Sequence, residues 1–286
     1  MARWATLIEN RRDERPVLMI DAGDFCSTGI QRDKELTNKY FFQAMKELRY
    51  DALVIGEKEI LFGKRNLLET ARRSKLPLVS SNILDKKTKR QIGAPHIVRT
   101  IGGTRLVFKT VGGVKVGIFG VTAPDLVYAT DRLAREYYEV IDPRIAALEA
   151  VSQLRGKGCE VIIALSHQPW EESTGLAREV DGIDVVVSSH GGGLKTLSER
   201  LGTALIVQTG DNTRSFTEIE VGWRNGRPEA VAVDRGDTLL KLEDHPDFAE
   251  IEREFQREKN PRIVNPRRAR DEIQVEKRPA EDSADE

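Results

Sequence analysis

The fold follows from the stretch Val17-Leu18-Met19-Ile20-Asp21-Ala22-Gly23-Asp24. Four consecutive apolar residues read as a strand buried on both faces, as in a parallel sheet. Gly23 then lets the backbone turn sharply. Asp21 and Asp24 land at the strand's C-terminal edge, where open α/β sheets bind their ligands. Two carboxylates that close repel unless a positive charge lies between them, and a divalent ion is the usual solution. A helix N-cap or a turn acid is the alternative reading of the same residues.

The same grammar repeats outward from this stretch. The buried run Asp51–Gly56 ends in Glu57-Lys58-Glu59, and Leu76–Val79 ends in Ser80-Ser81-Asn82. Helical periodicity over 36–48 and 64–74 separates these runs and gives a β-α-β-α-β unit with its polar residues on one edge. Residues 3–12 read as a preceding helix. Between His96 and Thr122 the pattern becomes an antiparallel insertion, with Gly112-Gly113 turning Arg105–Thr110 back onto Lys115–Val121. A helix over 141–157 is capped by Asp142, with Pro143 in its first turn. Val161–Leu165 then leads to Ser166-His167, and Asp184–Val187 leads to Ser188-Ser189-His190-Gly191-Gly192-Gly193. Ala204–Gln208, Phe216–Gly222 and Ala230–Val233 read as successive strands of a second sheet, followed by a charged helix over 246–258. From Lys259 the chain is rich in Arg, Lys, Glu, Asp and Pro with few apolar anchors, which predicts a disordered tail. The expected organisation is one domain over 1–258 and a charged tail over 259–286.

Composition removes several function classes. Lys and Arg number 45 against 46 Asp and Glu, a net charge of -1, so no global field attracts nucleic acid or an anionic membrane. Cys26 and Cys159 show no CxxC spacing, so two free core thiols are expected in place of a thiolate zinc site or a disulfide framework. No apolar run is long enough to span a membrane. The N-terminal residues lack a signal-peptide h-region, so the chain as written is expected in the cytoplasm.

Strand ends thus carry Asp24, Glu57, Asn82, His167 and His190. A single strand-end histidine is more often hydrogen-bonded than a ligand, but two after separate buried strands are harder to dismiss. Carboxylate with imidazole suits Mn, Fe or Zn better than Ca or Mg. Such a site polarises a phosphoryl oxygen and supplies hydroxide at neutral pH. The HGGG run at 190–193 lacks the Gly-x-Ser-x-Gly elbow that an esterase needs. Gly112-Gly113 is followed by no phosphate-loop lysine. Arg65, Arg72 and Arg73 form a solvated helix face.

Asp21–Asp24, Tyr50–Gly56, Ser81-Asn82, Gly117–Thr122, Leu165–His167, Ser188–His190 and Gln208–Gly210 occur in the order found in calcineurin-like metallophosphoesterases. Over residues 2–235 the chain resembles the catalytic domain of bacterial 5′-nucleotidases. The resemblance implies an α/β fold, a four-layer αββα sandwich of two mixed sheets, with a two-metal site between the sheets that hydrolyses phosphoesters. It also implies that Asp24 bridges two metals, that His167 and His190 hold the second, and that the substrate is a phosphorylated small molecule such as a nucleotide, with Asn82 a substrate-binding candidate.

The departures from the family pattern are specific. The family's Asp-x-His on its first strand has no counterpart, so that strand is expected to be missing. A segment upstream that carried an export signal would place the protein in the periplasm or outside the cell. Glu57 stands where the family has a ligating Asn, and remains an alternative ligand. Lys58 replaces the His or Asp that donates a proton; a lysine suits a phosphate oxygen better than it suits acid catalysis at pH 7. Gly192 stands where a further His would ligate the first metal. Two expectations follow: a metallophosphoesterase with one or two ions and a weakened site, or a catalytically inactive module that binds a ligand or partner on the same fold.

Overall fold

The computed structural model describes residues 2–29, 31–105, 110–111, 113–130, 133–191, 196–208, 217–234 and 242–260. The first third alternates α1 (Ala2–Glu14), β1 (Ile20–Asp21), α2 (Gln31–Glu47), β2 (Ala52–Val54), α3 (Glu57–Phe62), α4 (Lys64–Ser74) and β3 (Leu78–Val79). Then come β4 (Ile83–Asp85), β5 (His96–Ile101), β6 (Thr104–Arg105), β7 (Thr110–Val111), β8 (Val114–Thr122), α5 (Pro124–Thr130), α6 (Ala134–Tyr137) and β9 (Tyr138–Val140). The remainder is α7 (Pro143–Gly156), β10 (Val161–His167), α8 (Trp170–Glu179), β11 (Val185–Ser189), β12 (Leu197–Leu201), β13 (Ala204–Gln208), β14 (Thr217–Arg224), β15 (Arg227–Asp234) and α9 (Pro246–Lys259).

Two sheets organise these elements. The smaller has the order β1-β2-β3 and is parallel throughout. The larger has the order β12-β13-β11-β10-β8-β5, with a parallel centre and antiparallel edge strands, so only this sheet is mixed. The sheets face each other across one apolar cluster. Ala52, Val54 and Val79 come from the first sheet, and Ile118, Ile163, Leu165, Val185 and Val207 from the second. Phe42, Met45, Leu67 and Ala71 of α2 and α4 cover the outer face of the first sheet. Ala147, Ala150, Leu154 and Leu176 of α7 and α8 cover the outer face of the second. The fold is α/β, with the strand ends that carry Asp24, Glu57, His167 and His190 brought to one place.

Three expectations change. The opening strand spans only Ile20–Asp21, lies at one edge of its sheet and is half-buried. In the same sheet β2 and β3 are buried at every residue. Among the described residues the strand over 115–121 pairs as β8 with β5, and Arg105 and Thr110 pair with each other in the small β6–β7 ribbon, while 106–109 lie outside the described residues. β5 and β8 therefore belong to the second sheet and are not an insertion. Residues 217–224 and 227–234 pair with each other as a separate hairpin and do not continue that sheet. Asp142 caps α7 as expected, its carboxylate accepting from the Arg144 and Ile145 amides. Cys26 and Cys159 are buried free thiols. The boundary expected at residue 258 falls at the end of α9, and the tail from 261, like Gly112, Gly192, Gly193 and Gly210, lies outside the described residues.

Candidate metal centre

The geometry begins at Gly23, whose φ of +104° is open to glycine but strained for other residues. The next residue, Asp24, is also left-handed, at φ +67°. Its strain is held by Glu59, a fully buried carboxylate that accepts from the backbone amides of Asp24 (2.8 Å), Cys26 (2.7 Å) and Gly56 (2.8 Å). Glu59 thus ties the turn after β1 to the turn after β2. Burial above all, and then the charge of Asp24, push its carboxyl up to about 7. A glutamate three positions after Gly56, at the third residue of a helix, is the sequence signature that could have revealed this role.

The Asp24 carboxylate is held on both sides by Lys58. Oδ1 accepts from the Lys58 backbone amide at 3.0 Å, and Oδ2 lies 3.3 Å from Nζ. Oδ1 is also 3.4 Å from His167 Nε2. Gly56 makes this approach feasible: a Cβ there would stand 2.5 Å from Asp24 Oδ1 and 2.8 Å from His167 Nε2.

His167 closes β10 and is almost completely buried. Its Nδ1 lies 2.8 Å from the Ala22 carbonyl and 2.8 Å from Ser189 Oγ, which itself donates to the same carbonyl. A carbonyl only accepts, so Nδ1 carries the proton of a neutral ring and Nε2 carries the lone pair. That lone pair points at a carboxylate oxygen, Glu57 Oε2, in close contact. Lone pair against carboxylate is repulsive unless a proton or a metal cation lies between them. Burial lowers the pKa of His167, but the Glu57 hydrogen bond and the charges of Asp24 and Glu57 outweigh it and raise it above its ordinary value. For Glu57, burial raises the pKa, while the His167 hydrogen bond and charge, with help from His190, pull it well below the usual range.

His190 follows β11 at φ +85°, with its carbonyl held by the Gln208 side chain at 3.1 Å. Its Nδ1 is 3.1 Å from Glu57 Oε1, and its ring meets that of His167 edge-on at 5.6 Å. One ligand atom each from Glu57, His167 and His190 lies within 4.8 Å of the others, a span that a single ion can bridge. The donor set, one carboxylate and two imidazoles, suits Zn, Mn or Fe. The fit is supported by the His167 Nδ1–Ala22 bond, the kind of outer contact that fixes a metal-binding tautomer. Ser189, which lies opposite His167 in the sheet register, was missed by sequence reasoning; its only signal was a hydroxyl residue beside His190.

Asn82 stands apart from this group. It is fully buried, donates to the carbonyls of Thr122 (2.8 Å) and Ile141 (3.1 Å), and accepts from the Thr122 amide at 3.0 Å. Both amide hydrogens are used, leaving no donor for a substrate. It clamps the end of β8 to the segment entering α7.

No family model matches the chain. It is 33% identical over 194 residues to a snake venom 5′-nucleotidase from Crotalus adamanteus, covering 66% of this chain and 31% of that protein. It is 26% identical over 272 residues to the trifunctional nucleotide phosphoesterase protein YfkN of Bacillus subtilis, covering 85% of this chain and 18% of the relative. The chain thus spans a third or less of the length of these relatives. The crystal structure of the calcineurin-like phosphoesterase YfkN from Bacillus subtilis superposes with a TM-score of 0.74 at 19% identity, covering 93% of this chain and 90% of that one. Among the described residues no helix is long and apolar enough to cross a membrane.

Proposed function

From the premise that the chain is a member of the calcineurin-like metallophosphoesterase superfamily, homologous to 5′-nucleotidases, we propose that it hydrolyses phosphoesters with a divalent metal at the Glu57, His167 and His190 cluster. The observation that carries this reading is the His167 ring. Its Nδ1 hydrogen is committed to Ala22, so its Nε2 lone pair faces the Glu57 carboxylate and calls for a cation. A divalent ion held there would supply Lewis acidity for a phosphoryl oxygen and a water of lowered pKa. Glu57, His167 and His190 would hold it, with Asp24 alongside.

The chain's other residues complete the chemistry. A proton and a metal ion compete for the His167 Nε2 lone pair, so ion uptake weakens as pH falls. The Lys58 side chain is 43% exposed and reaches solvent beside Asp24, where its ammonium can bind a phosphate oxygen. It is a poor proton donor to a leaving group at pH 7. Substrates whose leaving groups depart unprotonated are therefore favoured, and aryl phosphates should turn over faster than nucleoside 5′-monophosphates. A phosphorylated small molecule, a nucleotide first among them, is the proposed substrate class. Of the two locations raised by the sequence, the extracytoplasmic one accords with a relative found in venom.

The test is phosphate release from p-nitrophenyl phosphate and from a panel of nucleoside 5′-monophosphates, before and after chelation and Mn²⁺ reloading. Turnover that chelation abolishes and Mn²⁺ restores supports the proposal. A fully loaded protein that releases no phosphate from any of them sinks it, in favour of an inactive binding module.

A further inference from the structure

Resting on that reading, we propose that Lys58 is a resident cation that occupies the Asp24 side of the centre, so that this protein works with one divalent ion and not two. Two carboxylates, Asp24 and Glu57, line the centre, and only Asp24 has a lysine as its partner. Asp24 is engaged at Oδ1 by the Lys58 backbone amide and at Oδ2 by the Lys58 ammonium. Glu57 spreads its two oxygens over His167 and His190. The group of side chains that converges for an ion contains Glu57, His167 and His190, without Asp24.

Charge supports the same division. Two carboxylates against one ammonium leave a single negative charge uncompensated before any metal binds. One divalent ion on Glu57 already overcompensates it. A second ion on Asp24 would have to displace or lie against the Lys58 ammonium, with only Asp24 left to offset it. Like charges a few ångström apart in a partly enclosed site repel each other. The Lys58 backbone amide also fixes the helix start against Asp24, so the ammonium is anchored at both ends of its residue. A lysine at this place supplies Asp24 with the positive charge that a metal would otherwise supply.

The consequence is measurable without turnover. Purified protein is stripped with chelator, equilibrated with excess Mn²⁺, desalted and analysed for metal content, and Mn²⁺ affinity is measured by calorimetry. The expected result is one Mn²⁺ per chain, with an uncoupled mononuclear electron paramagnetic resonance signal. Lys58→Ala should bind Mn²⁺ at least tenfold more tightly or take up a second ion, because a neighbouring positive charge is gone. Lys58→Arg, which keeps the charge, should behave as wild type. Two ions per wild-type chain, or a Lys58→Ala affinity equal to or weaker than wild type, would overturn the inference while leaving a metal-dependent hydrolase intact. Absence of any bound ion would overturn the metal reading itself, and this inference with it. The partly exposed Lys58 side chain makes loss of folding an improbable confounder, and circular dichroism of each variant controls for it.

Discussion

Replacing Gly56 by alanine adds one methyl group at the tightest point of the centre. The backbone there, at φ -96° and ψ -169°, is open to any residue, so the substitution is penalised only by what the methyl meets. It would stand 2.5 Å from Asp24 Oδ1 and 2.8 Å from His167 Nε2 and Cε1, whereas ordinary contact begins at 3.4 Å. Relief requires Asp24 to retreat by about 0.9 Å and His167 by about 0.6 Å. His167 cannot follow freely, because its ring is pinned to Ala22 and Ser189. Displacements near 1 Å in a reacting constellation cost about 10²-fold in rate. Overpacking of this kind costs about 1–3 kcal/mol of stability, and each kcal/mol lowers Tm by about 2–4 °C in a domain of this size. The assay is kcat/KM for p-nitrophenyl phosphate with Mn²⁺ affinity and thermal denaturation on the same preparations. Gly156→Ala is the control, since a methyl there meets nothing within 4 Å. Hydrolysis and Mn²⁺ affinity both within threefold of wild type in Gly56→Ala would refute the proposed geometry.

Other predictions follow from the same contacts. His190→Ala removes one of three proposed ligands and should abolish Mn²⁺ binding in calorimetry; unchanged affinity would remove His190 from the centre. Asn82→Ala strands three backbone partners and should lower stability by about 3 kcal/mol in urea denaturation, with turnover per folded molecule retained; an unchanged midpoint would contradict its clamping role. The metal-free protein should lose stability as pH rises from 5 to 8. A carboxyl whose folded pKa exceeds its unfolded value contributes stability that is full below the unfolded pKa and is lost as pH rises through the folded one. Glu59, raised from 4.5 to about 7, should account for about 2–3 kcal/mol of that loss. Asp21 and His167, both raised, act in the same sense. Glu59→Gln should flatten much of the profile, and a wild-type profile that rises from pH 5 to 8 would reverse the sign argued here.

The elements most legible in the sequence were those whose pattern is local. The run Val161–Leu165 and the helix over 64–74 needed only their own apolar spacing, and α4 spans Lys64–Ser74 as read. Asp142 and Pro143 announced α7 by cap chemistry alone. Partnership was not legible, because alternation says that a strand exists and not what it pairs with. Residues 115–121 therefore seemed to fold onto their nearest neighbour, while β8 took β5 on one side and β10 on the other. Strand ends gave Asp24, Glu57, His167 and His190 because both sheets deliver their C-terminal edges to one place. Asn82 was read in the same way, yet a polar strand tip looks alike whether it faces a substrate or clamps a backbone. Ser189 acts through a backbone carbonyl and its own neighbourhood does not distinguish it from a solvated residue, whereas Glu59 carried a capping-box spacing that went unused.

The most direct measurement is anomalous diffraction from crystals of the full chain soaked in Mn²⁺. The account predicts one strong peak at bonding distance from Glu57, His167 and His190, with the Lys58 ammonium still on Asp24. A fully loaded crystal whose ion lies elsewhere, or is held without His167 and His190, would contradict it.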